Sequence, residues 1–401
     1  MSTAARTPRL TAVPRSEERV TPLELFFDLV FVLALTQCTA LMAEHPSWGG
    51  VGKGLLVLGL MWWSWVGYAW LTSVVNPEEG SIRFAIFAAM AAMLVVALCV
   101  PDAFGDSRML FAVAYAGVRF GQIALFILAS RDEPALRTSV TGLAGGTAVG
   151  CGLLVVGALF EDPNLQAAIW AVALALDMLE PFLFGSEGWK LHPSHFAERH
   201  GLIIIIALGE SIVAIGVGAG HHVDAGVVTA AVLGIAVAGA LWWLYFDIVA
   251  LVAERRLSNA AVGREQNDIA RDSFSYLHFP MVAGIVLLAL GMKKTLEHVG
   301  DPLKTVPAVA LVGGVATYLL ALVAFRWRLM HTLSRPRTIA ALAALALLPL
   351  ALEAPAYVTV TALVVVLCAE IVYEVVRYAE FRDRIRHELA RDHSADEEAT
   401  E

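Results

Sequence analysis

Twelve apolar stretches run between Leu23 and Tyr378, and the basic residues separating them alternate in number. Segments on one side hold 22 of the 28 Lys and Arg residues, segments on the other hold five, and Arg119 alone sits inside a stretch. Cytoplasmic loops retain Lys and Arg, so this asymmetry sets class and orientation together. It predicts an all-α polytopic membrane protein with about 12 transmembrane helices and both termini in the cytoplasm. With 58% hydrophobic residues, 16% charged and a mean hydropathy of +0.69, the chain is too apolar for a water-soluble protein of 401 residues.

A helix rising ~1.5 Å per residue needs roughly 20 apolar residues to cross the hydrocarbon core. The expected spans are 23–43, 54–74, 82–101, 109–129, 139–160, 165–185, 200–220, 225–250, 274–292, 305–325, 338–352 and 355–376. The eleventh is short and is followed at once by Glu353, Ala354 and Pro355, so a re-entrant hairpin is its alternative. The net charge of −9 carries no nucleic-acid signal, because most of the surface faces lipid. Cys38, Cys99, Cys151 and Cys368 stand singly in apolar spans and read as small packing residues. No cofactor and no nucleic acid are implied. The expected partners are the lipid bilayer and a small ion or small-molecule substrate, with oligomerisation left open, and the expected location is the bacterial cytoplasmic membrane.

The chain divides into a basic arm (1–20), two six-span halves (21–190 and 191–378) and a charged tail (379–401), with both end segments reading as disordered. Several features recur in order between the halves. Trp62-Trp63 in span two matches Trp242-Trp243 in span eight; Phe87–Leu98 aligns without gaps to Phe279–Leu290; Glu24 and Glu198 both open a half. An even number of spans per half makes such repeats parallel, with the interface between them the default place for a site.

Ionisable side chains in hydrocarbon cost roughly 2.5–3.5 kcal/mol on insertion scales, so each needs a partner, water or a role. Arg119 and Glu210 are the two placed near mid-membrane, and their opposite signs suggest a buried ion pair, either a structural clamp or a switch. A second group lies toward the cytoplasm: Glu24 with Asp28, Asp177 with Glu180 ahead of Pro181, and Asp247, His278, Glu370 and Glu374. It reads as a proton or cation site or, more blandly, as interfacial charges bonded to Arg199, Arg377 and loop arginines. His192, His195, Glu198 and His200 lack a zinc spacing, and His195 is expected to contact loop backbone. Gly201, Gly209, Gly216, Gly218 and Gly220 allow either close packing or unwinding of span seven. Trp62, Trp63, Trp65, Tyr68 and Trp70 should line a cavity or a helix seam.

Two stretches carry a family pattern. Glu24-Leu25-Phe26-Phe27-Asp28-Leu29-Val30-Phe31-Val32, continuing to Thr36-Gln37, resembles the opening signature of the bacterial low-temperature-requirement A family. So does His195-Phe196-Ala197-Glu198-Arg199-His200-Gly201-Leu202, running on to Leu208-Gly209-Glu210-Ser211, although His200 and Ile203 replace expected aromatics. The resemblance implies Glu24, Asp28, His195, Glu198, Arg199, Gly201 and Glu210 as motif positions without saying what they bind. The Phe-Phe-Asp opening is also similar to the Phe-Ser-Asp start of a potassium-channel family built from two six-helix repeats.

The expected function is a secondary transporter, proton- or cation-coupled, and not an enzyme. Its ion- or substrate-binding residues would be Glu24, Asp28, Arg119, Asp177, Glu180, Glu198, Arg199 and Glu210, with His195, Asp247 and Glu370 as further candidates. The alternatives are a cation channel lined by spans one and seven, or a membrane-embedded lipid-adapting factor or enzyme.

Overall fold

The computed structural model describes residues 19–78, 80–183, 188–220 and 224–380. Most of the arm and nearly all of the charged tail lie outside the described residues. Every regular element described is helical. The helices are α1 (Pro22–Glu44), α2 (Trp48–Val74), α3 (Gly80–Cys99), α4 (Arg108–Ala129), α5 (Pro134–Gly157), α6 (Pro163–Leu183), α7 (Pro193–Ala219), α8 (Ala225–Phe246), α9 (Val249–Ser258), α10 (Arg264–Ile269), α11 (His278–Glu297), α12 (Thr305–Met330), α13 (Arg335–Ala346), α14 (Leu348–Glu353) and α15 (Ala356–Arg377). Joined end to end where they are nearly continuous, they make 12 segments long and apolar enough to cross a membrane.

Local chemistry sets the helix starts. Pro22, Pro134, Pro163 and Pro193 open α1, α5, α6 and α7, where the missing N–H costs nothing. The side chains of Ser47 and Asp224 accept from Gly50 and Val227 to cap α2 and α8. Three spans are interrupted. The eighth bends at Asp247–Ile248 between α8 and α9. The ninth carries a π-helical segment, Ala270–Tyr276, between α10 and α11. The eleventh breaks at Leu347, just before Pro349, yet its 19 residues from Arg335 to Glu353 reach across ~28 Å. Its C-terminal end is pinned by Leu303 N–H on the Ala351 carbonyl and Ala356 N–H on that of Asp301, both at 3.0 Å.

The halves share one order of neighbours. In the first, α1 packs on α2 and α3, α3 on α4, α4 on α5, α5 on α6, and α6 returns to α2. In the second, α7 packs on α8 and α11, α11 on α12, α12 on α13, α13 on α15, and α15 returns to α8. They meet where α1 and α2 press on α7 and α11. The tightest pair is α11 with α12, where Gly284 and Gly314 bring backbones together: a Cβ on either would lie 2.7 or 2.6 Å from the other's carbonyl oxygen. Helix α7, by contrast, is unbroken through Gly201, Gly209, Gly216 and Gly218, so its glycines do not unwind it.

Candidate functional site

The N-terminal ends of α1 and α7 clasp each other. Thr21 caps α1 in a capping box: its hydroxyl accepts from Glu24 N–H, and Glu24 Oε2 accepts from Thr21 N–H at 2.9 Å. The other carboxylate oxygen faces α7, meeting His195 Nε2 at 2.9 Å and Arg199 Nη1 at 3.4 Å. One turn on, Asp28 accepts from Arg199 Nη2 at 3.2 Å and from the Trp65 indole at 2.7 Å. Arg199, 1% exposed, also donates to the Thr72 hydroxyl and lies over the Phe27 and Trp65 rings. His195 therefore contacts a carboxylate of α1, not loop backbone as its sequence position suggested. Glu198 stands outside the clasp and accepts from Val20 N–H at 3.0 Å. His200 is enclosed beside Trp65 and His278, its Nδ1 bonded to the Phe196 carbonyl at 2.8 Å, which makes it a packing histidine.

Deeper along the same seam, Glu210 of α7 accepts from the Thr36 hydroxyl of α1, with Thr39 beside it. It is 1% exposed and makes no salt bridge among the described residues. The expected Arg119–Glu210 pair does not form. Depth along a helix is readable from sequence, but the direction a side chain leaves it is not, and Arg119 points into the first half instead.

There Arg119 reaches Asp177 of α6 at 3.5 Å, Gln122 at 2.9 Å and Thr147 of α5 at 3.1 Å. Its Nε, one oxygen of Asp177 and one of Glu180 are buried with no hydrogen-bond partner. Both acids lie flat on glycines of α5: a Cβ at Gly150 would sit 2.5 Å from Asp177, and one at Gly146 would sit 1.7 Å from Glu180. Pro181 supplies no N–H to the Asp177 carbonyl, and the neighbouring Met178 carbonyl accepts from the Tyr276 hydroxyl across the seam. Between these groups and the π segment opens a cavity of ≈ 90 Å³. It is walled by Trp63, Trp70, Trp189 and Phe126, with Arg119 and Arg271 also in its lining.

The second half holds a comparable arrangement. Arg337 of α13 grips Glu374 of α15 through two bonds of 2.9 and 2.8 Å, and stands 3.8 Å from Glu370, whose oxygens have no hydrogen-bond partner. Asp177 and Glu370 each lie fourteen residues after the start of α6 and α15. Of the cations the sequence offered, Arg377 and the loop arginines, it is the loop residue Arg337 that pairs here, while the Arg377 guanidinium sits over Tyr378. Asp247 ends α8 and, with Glu374 and Arg326, lines a separate cavity of ≈ 290 Å³. His278 pairs with the Tyr245 hydroxyl at 2.8 Å.

The two sequence motifs thus bond to each other twice, at Glu24 and Asp28 with His195 and Arg199, and again at Thr36 with Glu210. The profile described as "Bacterial low temperature requirement A protein (LtrA)" matches residues 19–372, which include all of these contacts. The chain belongs to the bacterial low temperature requirement A family. An uncharacterized protein of Rhizobium meliloti is 30% identical over 287 residues, 69% of each chain. No solved structure matches. This LtrA protein is a multi-pass membrane protein, and its clasp and arginine clusters rest partly on residues to which the sequence pattern assigned no specific role. Thr72 completes the α1–α7 contacts, together with Trp65, expected at a helix seam, and Thr36 of the first motif, and Gln122 and Thr147 complete the Arg119 cluster. Trp65 and Arg337 carried a signal, as an indole and a guanidinium at the edge of apolar spans; the hydroxyls of Thr72 and Thr147 carried none.

Proposed function

We propose that this LtrA protein is a secondary transporter of the bacterial cytoplasmic membrane, coupled to protons or another small cation, whose two halves move against each other along the α1–α7 seam. One observation carries the reading: Glu210 stands buried at mid-helix on that seam, with hydroxyl neighbours and no salt bridge among the described residues, Lys293 of α11 acting on it only from beyond bonding distance. A carboxylate enclosed there needs its charge compensated by a proton or a bound cation. When the seam opens to water, that compensating ion is free to leave. Loading and unloading then follow the movement of the halves, which is the coupling a secondary transporter needs.

The common order of helix neighbours, with Asp177 and Glu370 at matching positions, supports two parallel six-helix repeats related by an axis along the membrane normal. A pore along α1 and α7 has less support, because Phe31, Trp62 and Trp65, each no more than 1% exposed, fill that seam. The test is reconstitution into liposomes bathed in an isotope-labelled bacterial metabolite mixture, with uptake read by mass spectrometry under an imposed pH or cation gradient. Gradient-driven uptake of a defined solute is expected, and Glu210→Gln should abolish its gradient dependence while leaving the folded protein intact. Uptake that ignores the gradient, or that survives the substitution unchanged, refutes the reading.

A further inference from the structure

Among the described residues, the charged side chains lining the cavity between α2, α4, α6 and the π segment are of one sign. Its lining includes Arg119 and Arg271 and, among those residues, no acidic side chain; Arg119 pairs with Asp177, and Arg271 with Asp268 and Asp272, none of which is in the lining. Most of the remaining wall is apolar and aromatic, from Trp63, Trp70, Trp189 and Phe126. Trp70 and Trp189 meet edge to face at 5.6 Å, so the aromatic wall is held in place and not merely loosely folded over the opening.

Arg119 is incompletely satisfied. Its separation of 3.5 Å from Asp177 is long for a charge-assisted bond, which closes to about 2.7–2.9 Å, and its Nε has no partner. Its other contacts, to Gln122 and Thr147, are neutral. The π-helical turn brings Arg271 and Ser275 into the same lining, in a helix geometry that recurs at functional sites. A volume of ≈ 90 Å³ is about three waters by liquid volume, room for a handful of non-hydrogen atoms.

From these features we infer that the cavity binds a small organic monocarboxylate, its carboxylate between Arg119 and Arg271 and its short apolar body against the tryptophans. An inorganic anion would meet the two guanidiniums but leave the apolar wall facing a hydrated ion, so the wall selects for a carbon chain. As a binding site the cavity stands alone; as a cargo site it rests on the transport reading above. In that case an anion drawing Arg119 from Asp177 leaves the Asp177–Glu180 pair with an extra negative charge nearby. A proton taken from water onto one of those carboxylates restores the balance, so that anion and proton would travel together.

The test uses the full chain in lipid nanodiscs, titrated with butyrate by calorimetry and by tryptophan emission, with neutral butyramide, cationic butylamine and chloride as controls. Saturable binding of butyrate alone is expected, weakened at least tenfold by Arg119→Gln and by Arg271→Gln. Val66→Phe, which fills the cavity and leaves every charge in place, should abolish it. Arg271 lies at the rim, 14% exposed, so its variant decides the matter even if Arg119→Gln does not fold. Equal binding of butyramide, equal competition by chloride, or butyrate binding unchanged in Arg271→Gln and Val66→Phe overturns the inference. Lost binding with gradient-driven uptake intact removes this inference alone, whereas intact binding without any uptake removes the transport reading alone.

Discussion

Replacing Arg199 with Gln should be among the most destabilising single changes in this LtrA protein, and the structure says which group is responsible. The guanidinium faces Glu24, Asp28 and Thr72 and is 1% exposed. Its loss does not strand Glu24, which keeps Thr21 and His195. Asp28 is different. It is 0% exposed, one of its oxygens already has no partner, and only the Trp65 indole would remain on the other. Breaking a buried pair from one side costs about 3–5 kcal/mol, chiefly the penalty of the charge left behind. That is roughly two to three and a half orders of magnitude in the folded fraction. Removing that charge as well, in Arg199→Gln with Asp28→Asn, should recover about 2–3 kcal/mol, the upper range of coupling between contacting residues. Unfolding equilibria of both single variants and the double variant in mixed micelles, completing a double-mutant cycle, measure this. If Arg199→Gln stays within about 1 kcal/mol of the unmodified protein, or the two changes simply add, Asp28 and Arg199 are not the linked pair described.

Four further outcomes follow from the same geometry. Gly314→Leu should separate α11 from α12 and lower the detergent melting temperature steeply, whereas Gly209→Leu, where an added Cβ meets nothing within 4 Å, should leave it nearly unchanged. Trp65→Phe keeps most of the ring and removes the donor to Asp28, so it should cost about 1.5–3 kcal/mol in the same unfolding assay. Gly146→Ala places a methyl 1.7 Å from a Glu180 oxygen and should drive that carboxyl away from α5, detectable as increased hydrogen exchange around α5 and α6. Arg337→Met should destabilise strongly, and Arg337→Met combined with Glu374→Leu much less, because the second change removes the carboxylate that the first abandons.

Much of the architecture was legible because membranes write it into composition. Twelve runs of about the right length, separated by loops of alternating charge, left few other solutions. Several helix starts, such as those of α2, α5 and α7, lie five to seven residues ahead of the expected ones, because polar caps and prolines extend the helices beyond their apolar runs. The interruptions were harder. Nothing in Ala270–Tyr276 announces a π-helical turn, since the residues suit an α-helix equally well, and the turn exists because its carbonyls are taken elsewhere. The Ser275 carbonyl accepts from the Trp62 indole at 2.9 Å, and that of Ser273 contacts His278 Nδ1 at 3.1 Å. The site was legible in its membership and not in its pairing. Glu24, Asp28, His195, Arg199 and Glu210 were singled out as costly or motif residues, and they do lie together on one seam. Arg119 was matched to the wrong acid because depth was the only coordinate available, and helix azimuth depends on packing that a single sequence does not display.

The same limit bears on the likeness between the halves. The gap-free match of Phe87–Leu98 with Phe279–Leu290 sets Leu94 and Leu98, 41% and 60% exposed, against Val286 and Leu290, both 0% exposed. Trp62 and Trp63 are enclosed, while Trp242 and Trp243 are 43% and 38% exposed. Two halves with one order of neighbours therefore present opposite environments at aligned positions, because α2 and α11 both crowd the seam while α3 and α8 stay outside it. Although α1 and α7 are counterparts, an interface that sets α2 against α11, the counterpart of α3, cannot be symmetric about its own axis, so its two sides have different work to do. The α2 side brings the aromatic wall and the α11 side brings the π-helical turn, and the cavity exists only where those two meet. Any opening movement along the seam that separates α2 from α11 must then break the Trp62 and Trp70 bonds to Ser275 at the same moment as it changes that cavity.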